Sequence, residues 1–184
     1  MSKTKSTAKA NFEKTTREEA MKIALELHSE IKDFCEKITV AGSIRQGKEM
    51  VGDVDIVIIP KDPVEEFVAK IKEKIEFEYG GSKKLFGMYK DRPINIFLTT
   101  EDSYGACLYQ STGPAMYNVQ RRCLAKAKGF KLNEYGLFNR ETDEKIAGAT
   151  EESIFEAMGW KFKEPHERIA PVWAKKKEQT STII

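Results

Sequence analysis

Two aspartates one residue apart, Asp53 and Asp55, stand at the entrance to the apolar run Ile56-Val57-Ile58-Ile59. In a strand, side chains two positions apart share a face. The two carboxylates then lie within a few ångströms of each other, where repulsion is costly unless a cation sits between them. Oxygen ligands of this kind select a hard divalent ion such as magnesium or manganese. Just upstream, Gly42-Ser43-Ile44-Arg45-Gln46-Gly47 forms a glycine-rich link, and Gly52 immediately precedes Asp53. Backbone amides and the Ser43 hydroxyl in such a turn suit phosphate oxygens, and the Arg45 guanidinium adds a charged fork. Taken singly, each feature has an ordinary explanation. Asp-x-Asp can be polar alternation on a half-exposed strand, Ser43 a turn cap, and Arg45 one half of a surface ion pair. The continuous apolar run after Asp55 argues for a buried strand, and the turn precedes it. The combination points to metal-assisted chemistry on a nucleoside triphosphate.

The elements that must hold these residues follow from capping and periodicity. Thr16 stands three residues before Glu19, as in a capping box, and Ile23, Leu27, Ile31 and Phe34 form one apolar stripe. The pattern predicts a helix from Thr16 to about Lys37. Strands are expected at Ile38–Ala41 and Val54–Ile59, a helix opened by Pro63 and running to about Lys74, and strands at 77–79, 85–89 and 93–99. This describes an α+β sheet lobe. Gly113 is read as opening a helix to about Lys128, residues 131–138 as containing a strand, and Thr150 as capping a helix stopped by Gly159. The expected division is a disordered tail at 1–13, a sheet lobe at 14–105, a smaller lobe at 106–170 and a flexible basic tail at 171–184. On the helix after Gly113, Asn118 and Arg122 share a face, with Arg121, Lys126 and Lys128 nearby. Such a basic face is more often solvated surface than a nucleic-acid contact.

Bulk composition narrows the class. The 184 residues are 40% hydrophobic and 33% charged, which suits globular lobes, and a formal charge of +2 demands no polyanionic partner by itself. Cys35, Cys107 and Cys123 have neither paired nor metal-like spacing, so reduced thiols and no structural zinc are expected. The polar N-terminus and the lack of an apolar run near ~18 residues imply no membrane span and no secretion.

Beyond the aspartates, the chain contains Tyr109-Gln110-Ser111-Thr112-Gly113, then Lys128-Gly129-Phe130-Lys131-Leu132-Asn133-Glu134-Tyr135-Gly136-Leu137-Phe138, Ile146-Ala147-Gly148, Ile154-Phe155-Glu156-Ala157-Met158-Gly159 and Glu164-Pro165-His166-Glu167-Arg168. In this order, over roughly residues 15–170, the sequence resembles the DNA polymerase X family of nucleotidyltransferases. The resemblance implies a nucleotidyltransferase palm, a mixed sheet with helices on one side, followed by a small α/β thumb-like lobe. The length leaves no room for the lyase and helix-hairpin-helix domains of larger members, so the minimal viral type is expected. The implied activity is template-directed addition of dNTPs to a primer 3′-hydroxyl in short gaps, during DNA repair or replication, by a monomer in the cytoplasm or wherever that DNA is handled. Asp53 and Asp55, with Asn95 in the third position, would hold two magnesium or manganese ions. Gly42, Ser43, Arg45 and Gly52 would cradle the triphosphate, Gly113 and Asn118 would meet the sugar and base, and Arg122, with Arg121, Lys126 and Lys128, would face DNA.

The sequence departs from the family at four places. Asn95 stands where members carry a third aspartate; its amide has no charge and cannot take a proton from the primer hydroxyl. Gln46 replaces a second arginine, which removes one charge-assisted phosphate contact. Gln110-Ser111 replaces an aromatic pair in the segment that excludes a ribose 2′-hydroxyl, so ribonucleotides are expected to enter. Phe97 replaces an arginine linked to lobe closure, so packing is expected in place of a charge switch. Glu134 and Tyr135 belong to the family's thumb strand, with Tyr135 read as a core aromatic. Two other classes carry the same residues: a template-independent nucleotidyltransferase acting on an RNA end or a small molecule, and a protein that binds DNA and nucleotide without turnover.

Overall fold

Thr16 opens the first helix as its spacing requires. Its hydroxyl accepts from the Glu19 amide, and the Glu19 carboxylate accepts from the Thr16 amide, both at 3.2 Å. The computed structural model describes residues 12–173, so the expected tails lie almost wholly outside the described residues. The first half runs β1 (Thr15–Thr16), α1 (Arg17–Ile31), β2 (Cys35–Val40), α2 (Gly42–Arg45), β3 (Met50–Val51), β4 (Val54–Pro60), α3 (Val64–Ile71), β5 (Glu76–Gly80), β6 (Lys84–Tyr89) and β7 (Arg92–Leu98). The second half runs α4 (Tyr104–Thr112), α5 (Ala115–Ala127), β8 (Phe130–Asn133), β9 (Gly136–Asn139), β10 (Lys145–Ala147) and α6 (Glu151–Ala157).

Five strands form the main sheet in the order β2-β4-β7-β6-β5, with β4 and β7 parallel and the other neighbours antiparallel. Side-chain alternation then sorts residues by face. Ile56, Ile58, Ile94 and Ile96 pack in one core with Leu27 and Ile31 of α1 and Phe67 and Ile71 of α3. Val57 and Ile59 point the other way, into a smaller cluster with Tyr104, Cys107 and Leu108 of α4. Asp55 and Asn95 have the parity of Val57 and Phe97, so they occupy the α4 face. A second, three-stranded antiparallel sheet, β10-β9-β8, packs with α4, α5 and α6 around Tyr109, Tyr117, Leu137 and Phe155.

Several boundaries differ from expectation. The first helix stops at Ile31 rather than near Lys37; a 3-10 turn at Lys32–Phe34 follows, and Cys35 already pairs with Pro60. Pairing with the sheet overrides the helical preference of Glu36 and Lys37. Helix α4 was not expected at all. Nearly every residue in it is buried, because it is enclosed between the main sheet and the second lobe, so it shows no polar face and no amphipathic period. It also crosses residue 105, where the lobe boundary was expected. Gly105 lets the helix approach α6: a Cβ there would sit 2.0 Å from the Thr150 carbonyl carbon. Gly113 closes α4 with φ 74° instead of opening α5.

Candidate active site

The aspartates are placed by the edge of one strand and by its neighbour. Asp53 lies in the turn before β4, Asp55 on β4, and the parallel register sets Asn95 of β7 opposite Asp55. The Asn95 side-chain nitrogen donates to Asp53 Oδ2 at 3.1 Å. Burial, with the Asp53 charge beside it, pushes the Asp55 carboxyl up to about 7; the Asn95 amide and Lys84 act in the opposite direction. Crowded carboxylates of this kind fit a divalent cation, whose charge offsets both penalties. Among the described residues, no group of three or more His, Cys, Asp or Glu is gathered for a metal. The third place in the cluster is held by an amide.

The glycine-rich link is fitted against this pair. The Ala41 amide donates to the Asp55 carbonyl at 2.7 Å, and Gly42 follows with φ +56°. A Cβ on Gly42 would fall 1.9 Å from Asp55 Oδ2, so a side chain there would collide with the carboxylate. A cleft of 410 Å³ opens beside them, with Gly42, Ser43 and Lys48 on one wall and Gly113, Asn118 and Arg122 on the other. The Ser43 hydroxyl is buried in it without a hydrogen-bond partner, as are Asn118 Oδ1 and Gln110 Nε2. A second cavity of 520 Å³ also reaches Asp53 and Asp55 and is lined by Lys83, Lys84 and Tyr135. A larger cleft of 940 Å³ runs along α1 from Arg17 to Ser29 and does not touch the carboxylates. Of the three, only the 410 Å³ cleft brings the aspartates together with the glycine-rich link.

Some expected site residues lie elsewhere. Arg45 does not line the cleft: its guanidinium bonds Glu151 at 3.0 and 2.6 Å and the Thr112 hydroxyl at 2.9 Å. Arg168 binds the same Glu151 at 2.8 Å. Burial alone would raise the Glu151 carboxyl, but hydrogen bonds from the two arginines outweigh it and hold the group below its ordinary value. Arg45 therefore ties α2 to α6. Gln46 also faces the second lobe, donating to the Thr112 carbonyl. Gly52 is absent from the cleft wall, and a Cβ there would meet nothing.

On α5, Asn118 is buried and donates to the Gln110 carbonyl at 2.8 Å, while exposed Arg122 donates to the Gln110 side chain at 3.1 Å. Arg121 is folded inward, its guanidinium 4.8 Å from the Tyr117 ring and 4.7 Å from the Trp160 ring. Lys128 donates to the Met158 carbonyl at 2.9 Å, which closes the end of α6. Arg122, Lys126 and Lys128 are thus the exposed members of the expected DNA-facing set, with the Lys128 ammonium already engaged by Met158, and half-buried Arg121 holds the lobe together. Tyr135 is exposed in the β8–β9 turn rather than core, with Lys83 over its ring at 5.4 Å. Phe97 is covered by Lys84, its register partner on β6, whose ammonium lies 4.9 Å from the ring. A cation therefore returns near Asp55 from the neighbouring strand. Sequence reading missed Lys48, which lies between Gly47 and Gly52, and Glu151, whose partner Arg45 is 106 residues away.

Comparison with known proteins agrees with this geometry. Residues 14–79 match the family model described as DNA polymerase beta palm, and residues 107–169 match the one described as DNA polymerase beta thumb. The chain belongs to the DNA polymerase X family. It is 27% identical over 148 residues to the "Repair DNA polymerase X" of African swine fever virus, isolate Tick/Malawi/Lil 20-1/1983, covering 76% of this chain and 85% of that protein. The same protein of isolate Warthog/Namibia/Wart80/1980 is 28% identical over 149 residues, with the same coverage. The "DNA polymerase/3'-5' exonuclease PolX" of Bacillus subtilis strain 168 is 26% identical over 147 residues, covering 76% of this chain and 26% of that protein. Family and relatives point to a DNA nucleotidyltransferase that uses DNA, dNTPs and divalent metal. No helix among the described residues is long and apolar enough to cross a membrane.

Proposed function

We propose that this chain is a template-directed DNA polymerase that adds a dNTP to a primer 3′-hydroxyl in short gaps, with chemistry slowed by Asn95. The observation that carries the reading is the Asp53–Asp55 pair, opposite Asn95 and at the wall of a cleft shared by Gly42, Ser43, Gly113 and Asn118. Residues 14–105 act as the palm and 106–170 as the thumb, with α4 shared between them. What two magnesium or manganese ions supply when bound is neutralisation of the triphosphate and acidification of the primer hydroxyl. Asp53 and Asp55 would hold both ions. The Gly42 backbone and Ser43 hydroxyl orient the phosphates, Gly113 and Asn118 position sugar and base, and Arg122 and Lys126 face the DNA backbone, where that DNA is replicated or repaired.

Asn95 limits the reaction in two ways. It contributes no charge to the ion that would serve the primer hydroxyl, and it cannot accept that hydroxyl's proton. Its nitrogen also donates to Asp53, which takes up a lone pair a metal would use. The same hydrogen bond favours a second reading, a monomeric DNA- and nucleotide-binding protein without turnover.

Single-nucleotide incorporation on a one-nucleotide-gapped duplex, measured in magnesium and in manganese, separates these readings. The chain as it stands should extend slowly, and Asn95→Asp should raise the rate by about 10²-fold or more, the range of a positioned acid–base group. Equal rates for the two forms sink the role given to Asn95. Binding without extension by either form supports the second reading, and extension without template supports an untemplated transferase.

A further inference from the structure

We infer that Lys48 binds the phosphate tail of the incoming nucleotide; this rests on the cleft beside Asp53 and Asp55 being the nucleotide site. A triphosphate carries more negative charge than one divalent ion offsets, and the cleft must supply cations for the remainder. The cations nearest in sequence are not free to do so. The Arg45 guanidinium is held by Glu151 and Thr112, and position 46 is a glutamine tied to the Thr112 carbonyl. Arg122 stands on the opposite wall, bonded to Gln110. That leaves Lys48 on the wall that carries Ser43.

The backbone fixes Lys48 there. Its amide donates to the Ser43 carbonyl at 3.1 Å, so the lysine and the serine belong to one turn. Both line the cleft with Asp53 and Asp55. The Ser43 hydroxyl is buried there without a partner, as a group awaiting a ligand oxygen would be. Lys48 is exposed, and it forms no ion pair with any carboxylate of the described residues. A lysine ammonium on a flexible stem serves a phosphate as a point charge, with no demand for the bidentate geometry an arginine imposes. Lys48 therefore supplies the charge that the glutamine at position 46 does not.

The test is equilibrium binding of dATP and dAMP in magnesium by titration calorimetry, for the unaltered chain, Lys48→Ala and Lys48→Arg, with melting curves for each. Lys48→Ala should weaken dATP roughly tenfold, as loss of one charge-assisted contact does. It should leave dAMP binding and the melting curve unchanged, and Lys48→Arg should keep most of the affinity. Equal dATP affinity for the unaltered chain and Lys48→Ala overturns the inference while leaving the nucleotide site intact. A parallel loss for dAMP also overturns it, because the lysine would then not be acting on the tail. If the unaltered chain binds dATP no better than dAMP, the reading of the cleft itself fails.

Discussion

Glu151→Gln tests the joint between the two lobes. The glutamate is 5% exposed and receives three hydrogen bonds, two from Arg45 and one from Arg168, whose side chain is 0% exposed. Glutamine keeps the shape and removes the charge, so Arg168 is left enclosed without a counter-ion. Breaking a buried pair by removing one partner costs about 3–5 kcal/mol, whereas an exposed pair is worth under about 1 kcal/mol. Arg45 is 22% exposed and regains water, which favours the lower end. A loss of about 3 kcal/mol lowers Tm by roughly 6–12 °C in a chain of this size. Urea and thermal unfolding of both proteins at neutral pH measure the gap. Its pH dependence has a definite sign. The Glu151 carboxyl is held below its ordinary value in the fold, so its contribution is complete above the unfolded value of about 4.3 and is lost as pH falls through the lower, folded value. The two proteins should therefore differ fully at pH 7 and converge in acid. A gap under about 1 kcal/mol at pH 7, or one that persists unchanged in acid, would refute the buried joint.

Three other outcomes are expected. Gly42→Ala drives a Cβ into Asp55 and should cut incorporation by roughly 100-fold, the effect of a misplacement of about 1 Å at a reacting centre; single-turnover kinetics at saturating dNTP would expose an unchanged rate. Arg122→Ala should weaken primer-template binding and reduce the salt slope by about one unit, while Arg121→Ala, which removes the cation between Tyr117 and Trp160, should lower Tm and leave the slope alone. Anisotropy across a salt series would contradict this assignment if the two variants exchanged behaviours. The Ser111 hydroxyl bonds back to the Cys107 and Leu108 carbonyls at 2.8 and 3.3 Å, so no bulky side chain projects there. Selection of dNTP over rNTP should then be no better than about 100-fold in competition, and much stronger selection would show that another group excludes the ribose.

The local rules were legible because they act over a few residues. The Thr16–Glu19 box, the Thr150 cap and the buried character of the Ile56–Ile59 run are set by spacing and side-chain type, and each formed where the sequence places it. The Asp53–Asp55 pair was likewise readable from its spacing ahead of the apolar run, and the amide at Asn95 from the resemblance, which sets it at the third carboxylate position. Boundaries set by distant partners were not. The first helix ends early because Cys35 finds Pro60, and α4 escaped notice because burial on nearly all sides removes the polar face that marks a helix.

What the sequence determined by itself was the chemistry on offer: two carboxylates and a glycine-rich turn within local spacing, and, through the family resemblance, an uncharged third position further along the chain at Asn95. Only the tertiary structure decided which cations serve it. Arg45, the obvious phosphate ligand in the motif, is claimed by Glu151 across 106 residues, Arg121 is stacked between two rings, and Lys48 is left facing the cleft. A charged side chain goes to the partner that best offsets its desolvation, and that partner is set by the packing of one lobe on the other.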